Sequence, residues 1–149
     1  MTIRVLVIED GSEYTDTLGR FLADGFAWAR AGSGPEGLSR LTGSAYDVVF
    51  LDMRFDRCPP DQLLGDLPAT VERHDGDAVA ARRFLEDHQG TYVLAAIRDA
   101  GHRIPVLLSC DFAGEPRRWD RLASRYPPVA YLGGNAGPGE IAAALRGLL

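Results

Sequence analysis

The chain contains no lysine: all 16 of its basic residues are arginine, set against 21 acidic ones. No site it builds can therefore use a lysine ammonium group, and every fixed positive side-chain charge is a guanidinium. The formal charge of −5 argues against a nucleic-acid partner, because phosphate backbones are held by basic patches. The densest basic stretch, Arg117-Arg118-Trp119-Asp120-Arg121, is interrupted by an acid and reads as a solvated helix face. Cysteine is scarce. Cys58 and Cys110 match no zinc spacing and read as free thiols of a reducing compartment. No apolar run approaches the roughly 18 residues of a membrane span, so no membrane partner is expected. The opening Met1 to Ile8 enters a strand almost at once, without the apolar region and cleavage site of a signal peptide. The expectation is a cytoplasmic protein.

Hydrophobic residues make up 46% and charged residues 25% of 149 residues, ordinary values for one globular domain spanning residues 1–149. Apolar runs alternate with helix-period segments, which predicts an α/β fold around a parallel sheet. Strands are expected at Ile3 to Ile8, Phe26 to Ala31, Asp47 to Leu51, Ile104 to Ser109 and Pro128 to Leu132. Helices are expected from Ser12, as a cap, to about Asp24, with Leu18, Phe21 and Leu22 inward, and from Pro35 to about Gly43. Others span Thr91 to Ala100, with Val93, Leu94 and Ile97 inward, Pro116 to Tyr126, and Gly139 to Leu148. Between about 55 and 89 the rhythm lapses into a polar stretch rich in turn residues. Within it only Ala78 to His88 reads as a helix, capped by Asp75 or Asp77 and packing through Val79, Phe84 and Leu85. His74 and His88, single histidines in this stretch, read as surface residues.

In a doubly wound sheet of order 2-1-3-4-5, ligands bind beyond the carboxyl ends of the strands where the winding reverses. Glu9 and Asp10 directly follow strand one, and Asp52 closes strand three. Like charges about 5 Å apart repel by about 3 kcal/mol at an effective dielectric of about 20. Such a cluster takes up protons or a cation, and an all-oxygen site suits Mg²⁺. Read alone, Glu9 and Asp10 could equally begin a loop and cap a helix. Three segments, however, resemble the first half of a response-regulator receiver domain of the CheY-like type: Val5-Leu6-Val7-Ile8-Glu9-Asp10, Ala31-Gly32-Ser33-Gly34-Pro35-Glu36-Gly37-Leu38 and Tyr46-Asp47-Val48-Val49-Phe50-Leu51-Asp52-Met53. Ile104 to Ser109 resembles its fourth strand, ending in a hydroxyl, and Ala130-Tyr131-Leu132 its fifth, with an aromatic switch residue.

The resemblance implies a flavodoxin-like fold and a stand-alone module of two-component signal transduction. Asp52 would accept a phosphoryl group from a histidine kinase, a phosphotransfer protein or a small phosphodonor. Glu9, Asp10, Asp52 and the backbone carbonyl of Arg54 would hold Mg²⁺. Ser109 would hydrogen-bond the phosphoryl group and Tyr131 would follow its movement. A downstream protein target would be reached by contact through Trp119, Tyr131, Ile141 and Leu145, and homodimer formation stays open. Enzymatic turnover is not expected.

Two features depart from the family. Gly134 stands where its active-site lysine belongs and Asn135 where a proline follows, and Arg54 is the expected charge compensation. About thirty added residues, 55–89, begin beside the pocket. Both make a pseudo-receiver, a phosphorylation-independent interaction module, the alternative reading. Two others weigh less. Gly32-Ser33-Gly34-Pro35-Glu36-Gly37 matches a dinucleotide fingerprint but follows the second strand, and Pro35 removes an amide from it. A metal-dependent phosphatase would need a second acid at position 54, where arginine stands.

Overall fold

The computed structural model describes residues 1–149. Five parallel strands, β1 (Ile3–Ile8), β2 (Phe26–Ala31), β3 (Val48–Asp52), β4 (Val106–Ser109) and β5 (Val129–Leu132), form one sheet of order β2-β1-β3-β4-β5. The helices are α1 (Glu13–Phe21), α2 (Gly34–Gly43), α3 (Leu67–Arg73), α4 (Ala78–Asp87), α5 (Gln89–Asp99), α6 (Pro116–Arg125) and α7 (Pro138–Gly147).

Successive strand side chains point to opposite faces, so an all-parallel sheet needs cover on both. Leu6, Ile8, Val49, Leu51, Val106 and Leu108 face one side, where Leu41 of α2 and Val93, Leu94 and Ile97 of α5 close over them. Val5, Val7, Val48, Phe50 and Leu107 face the other, against Leu18 of α1 and Ile141, Ala142 and Leu145 of α7. Burying each such side chain contributes roughly 1.5–3 kcal/mol. Arg98 of α5 ties the sheet's lower edge together, donating to the carbonyls of His102, Ile104, Tyr126 and Pro128 at 2.7–3.2 Å.

Several local expectations need correction. Helix α1 ends at Phe21, not Asp24, because the chain turns at Gly25 (φ 83°), and Phe21 in its last turn is 65% exposed. Ser12 caps no backbone amide; its hydroxyl donates to Asp16. Val79, in the first turn of α4, faces solvent, and that helix packs through Ala81 and Leu85. Ile141 and Leu145, expected on an interface, are core residues.

The stretch 55–89 holds more structure than its polarity suggests: a 3-10 turn (Pro60–Gln62), then α3, then α4, whose amide end Asp77 caps by accepting from Ala80 N at 3.0 Å. Phe55 and Cys58 are buried in the main core. Gln89, fully buried at the first position of α5, is the clamp. Its amide oxygen accepts from Leu64 N at 2.7 Å, and its nitrogen donates to Leu64 O at 3.0 Å and Leu85 O at 3.1 Å. No helix is long and apolar enough to cross a membrane.

Candidate functional site

The carboxyl ends of β1, β3 and β4 lie side by side. Ile8 is paired with Leu51, which sets the Glu9-Asp10 turn beside Asp52, and Asp52 is itself paired with Ser109. The turn is braced from β2, where the guanidinium of Arg30 donates to the carbonyls of Glu9 at 3.3 Å, Asp10 at 3.2 Å and Gly11. The sheet thus gathers Glu9, Asp10, Asp52 and Ser109 at one edge.

Each has a partner. Glu9 is buried with both oxygens engaged by the start of α1: one accepts from Tyr14 N at 3.2 Å, the other from Thr15 N at 2.8 Å and Thr15 Oγ1 at 2.7 Å. It satisfies amides that a helix N-terminus leaves open, where its charge also suits the helix dipole. The Asp10 side chain is only 2% exposed. One oxygen accepts from Arg57 N at 2.6 Å, and the other lies 3.8 Å from the Arg57 guanidinium. That guanidinium also forks onto Glu13 at 2.7 and 3.0 Å, holding the Glu13 carboxyl down to about 2 and raising its own pKa in turn. The first turn of the 55–89 stretch is therefore fastened across the acidic edge, and a Cβ on Gly11 would collide with Arg57.

Asp52 accepts from its neighbour's amide, Met53 N, at 2.9 Å. Burial pushes its carboxyl up to about 6, the nearby charges of Asp10 and Glu9 push the same way, and the Met53 amide and Arg57 pull against them. Ser109 Oγ shares a 2.7 Å hydrogen bond with the hydroxyl of Tyr14, whose ring sits edge-on to Phe50 at 4.9 Å. Burial also raises the Tyr14 pKa. Tyr131 lies in an aromatic cluster, 4.7 Å from Trp119 and 5.3 Å from Phe112 between ring centres. Trp119 is half-buried there.

The charge expected of Arg54 is supplied by Arg57. Arg54 is two-thirds exposed and pairs with Asp56 and Asp87, both at 3.3 Å, so its solvated neighbours draw it away from Asp52. Arg57, Tyr14, Thr15 and Arg30 were not singled out from the sequence. Tyr14 and Thr15 fall in the first turn after the acid pair, the only signal that could have pointed to them. Gly134 lines an open hollow of about 300 Å³ with Asp111, Gly133 and Asn135.

Mg²⁺ demands near-octahedral oxygen ligands with free lone pairs. The two Glu9 oxygens accept three hydrogen bonds from α1, and Asp10 has the Arg57 amide on one oxygen and the Arg57 guanidinium 3.8 Å from the other, so a divalent ion would meet a fixed positive charge there. No three His, Cys, Asp or Glu side chains are grouped so as to hold a metal ion. As arranged, the donor set does not fit the ion.

No protein-family model and no curated protein sequence matches the chain. Solved structures do. The receiver domain of Francisella response regulator 1452 is 17% identical with a TM-score of 0.66, covering 99% of this chain and 96% of that one. Chemotaxis protein CheY4 of Vibrio cholerae is 15% identical with a TM-score of 0.64, covering 100% of both. The adenylate cyclase of Rhodopirellula baltica is 19% identical with a TM-score of 0.67, covering 99% of this chain and 87% of that one. At such identities the likeness is one of architecture: this chain has the CheY-like fold of response-regulator receiver domains.

Proposed function

We propose that residues 1–149 form one receiver domain of the two-component type that works as a phosphorylation-independent interaction module, signalling by protein contact rather than by turnover. One observation carries this reading: Arg57, from the added stretch, lies on Asp10 through both its amide and its guanidinium, where a receiver would need a metal-ligating carboxylate. The guanidinium is a cation built into the chain, and it offsets part of the negative charge that Glu9, Asp10, Glu13 and Asp52 gather there. The Tyr14 hydroxyl lies 2.7 Å from Ser109 Oγ, on the side chain that would contact a phosphoryl group. The absent lysine removes the remaining charge such a group would need.

Incubation with Mg²⁺ and acetyl phosphate or beryllofluoride tests the reading, with wild type and Asp52→Asn compared by intact mass and tryptophan fluorescence. No Asp52-dependent change is expected. A second reading, Asp52 as phosphoacceptor for a histidine kinase or phosphotransfer protein, draws on the direct pairing of Asp52 with Ser109 across β3 and β4. A saturable change lost in Asp52→Asn would establish it in place of the first.

A further inference from the structure

We propose that the groove between α4, α5 and α6 is the docking site for an acidic, amphipathic helix of a partner protein. The inference deepens the interaction-module reading by giving the partner's chemistry, and it rests on that reading only in taking the partner to be a protein. The groove encloses about 410 Å³, within the range of functional clefts. Its floor is apolar and aromatic: Phe84 from α4, Tyr92 from α5, and Leu122 and Tyr126 from α6 and its end. Its rim is a row of guanidiniums, Arg118, Arg121 and Arg125, and no carboxylate lines it.

Charge decides what fits. In a chain of net charge −5, the rim keeps two guanidiniums, Arg121 and Arg125, that form no ion pair, while Arg118 pairs with Glu115 at 3.2 Å. Arg125 has only the face of Tyr126, 5.5 Å from its ring centre. Arginine beside aromatic surface is the composition of interface hot spots. Shape points the same way. The three arginines stand at i, i+3 and i+7 along α6, a stripe of roughly 10 Å at 1.5 Å rise per residue. A second hollow of about 440 Å³, lined by Asp120 and Ser124 besides Arg121 and Arg125, adjoins it on the outer side of α6. An elongated, cation-edged trough over an apolar floor matches a helix carrying acids on its flanks and apolar residues beneath.

The added stretch supplies one wall. His88 stacks on Phe84 at 4.2 Å, and its Nδ1–H donates to the Phe84 carbonyl at 2.8 Å, which fixes the ring in that wall. Without residues 55–89 the groove would lose Phe84 and His88 altogether.

The test uses the full chain and a fluorescein-labelled synthetic helix of leucine and glutamate carrying one tryptophan, beside a counterpart with every glutamate replaced by lysine. Fluorescence anisotropy should show saturable binding of the acidic peptide alone, weakening with salt. Arg121→Glu combined with Arg125→Glu should lower affinity by about tenfold or more. Ala95→Trp, which fills the floor without touching a charge, should weaken it too. Asp52→Asn should bind like wild type, so an active phosphoacceptor would overturn the function proposed above without touching this site. The docking proposal is overturned if the acidic peptide does not bind, if the lysine peptide binds as tightly, or if the double arginine variant binds unchanged. Displacement of the peptide by ATP would also overturn it, assigning the groove to a small anion.

Discussion

Asp52 and Arg57 show how a buried carboxylate is tolerated without a metal. Burial lifts the Asp52 carboxyl to about 6, helped by Asp10 and Glu9, and the guanidinium of Arg57 limits the rise. The folded-state value lies above the ordinary unfolded value of about 4. Between the two, the folded protein holds a proton that the unfolded chain has released, so stability falls as pH rises through that window. Asp52 is neutral and harmless below it, and costs about 3 kcal/mol once ionised above it. Asp52→Asn should therefore raise the urea midpoint at about pH 7.5 and leave it unchanged near pH 4. An unchanged or lowered midpoint at the higher pH would show that ionised Asp52 is better solvated than its burial implies.

At the level of elements, the stretch 55–89 is bound into the core by a few contacts that the sequence disguises. Gly90 opens α5 against β3: a Cβ there would stand 2.7 Å from Asp52 O and 2.9 Å from Met53 Cα, both backbone atoms with no freedom to yield. Gly90→Ala should cost about 2 kcal/mol or more, read as a lowered denaturation midpoint. Gln89→Leu leaves the Leu64 amide and carbonyl without partners and should cost about 2 kcal/mol. It should also raise hydrogen exchange across α3 and α4 more than in the sheet. Uniform exchange would mean the stretch folds with the sheet as one unit. Helix α3 escaped the sequence reading because seven residues, under two full turns, are too few to show an apolar period. The strands were plain because a parallel strand buried on both faces is an unbroken apolar run. Phe21 and Val79 misled because near a helix end an apolar residue is not bound to the stripe its period suggests.

Across the whole molecule, the sheet order and the convergence of Glu9, Asp10, Asp52 and Ser109 were legible, since strand-end position follows directly from strand pattern. What those side chains do was not. Whether a carboxylate faces an amide, a guanidinium or open water depends on loops whose path no periodicity encodes. Thus Arg54 was the arginine nearest Asp52 in sequence, while Arg57 is the one that reaches the acidic edge. The molecule is a receiver fold whose acidic edge is crossed by Arg57 of the stretch 55–89. A Mg²⁺ titration followed by backbone amide shifts, with wild type and Arg57→Ala side by side, tests this most directly. No saturable shift is expected at Asp10 and Asp52 in wild type, and a saturable one once the guanidinium is removed. Saturable binding by wild type that disappears in Asp10→Asn would contradict it.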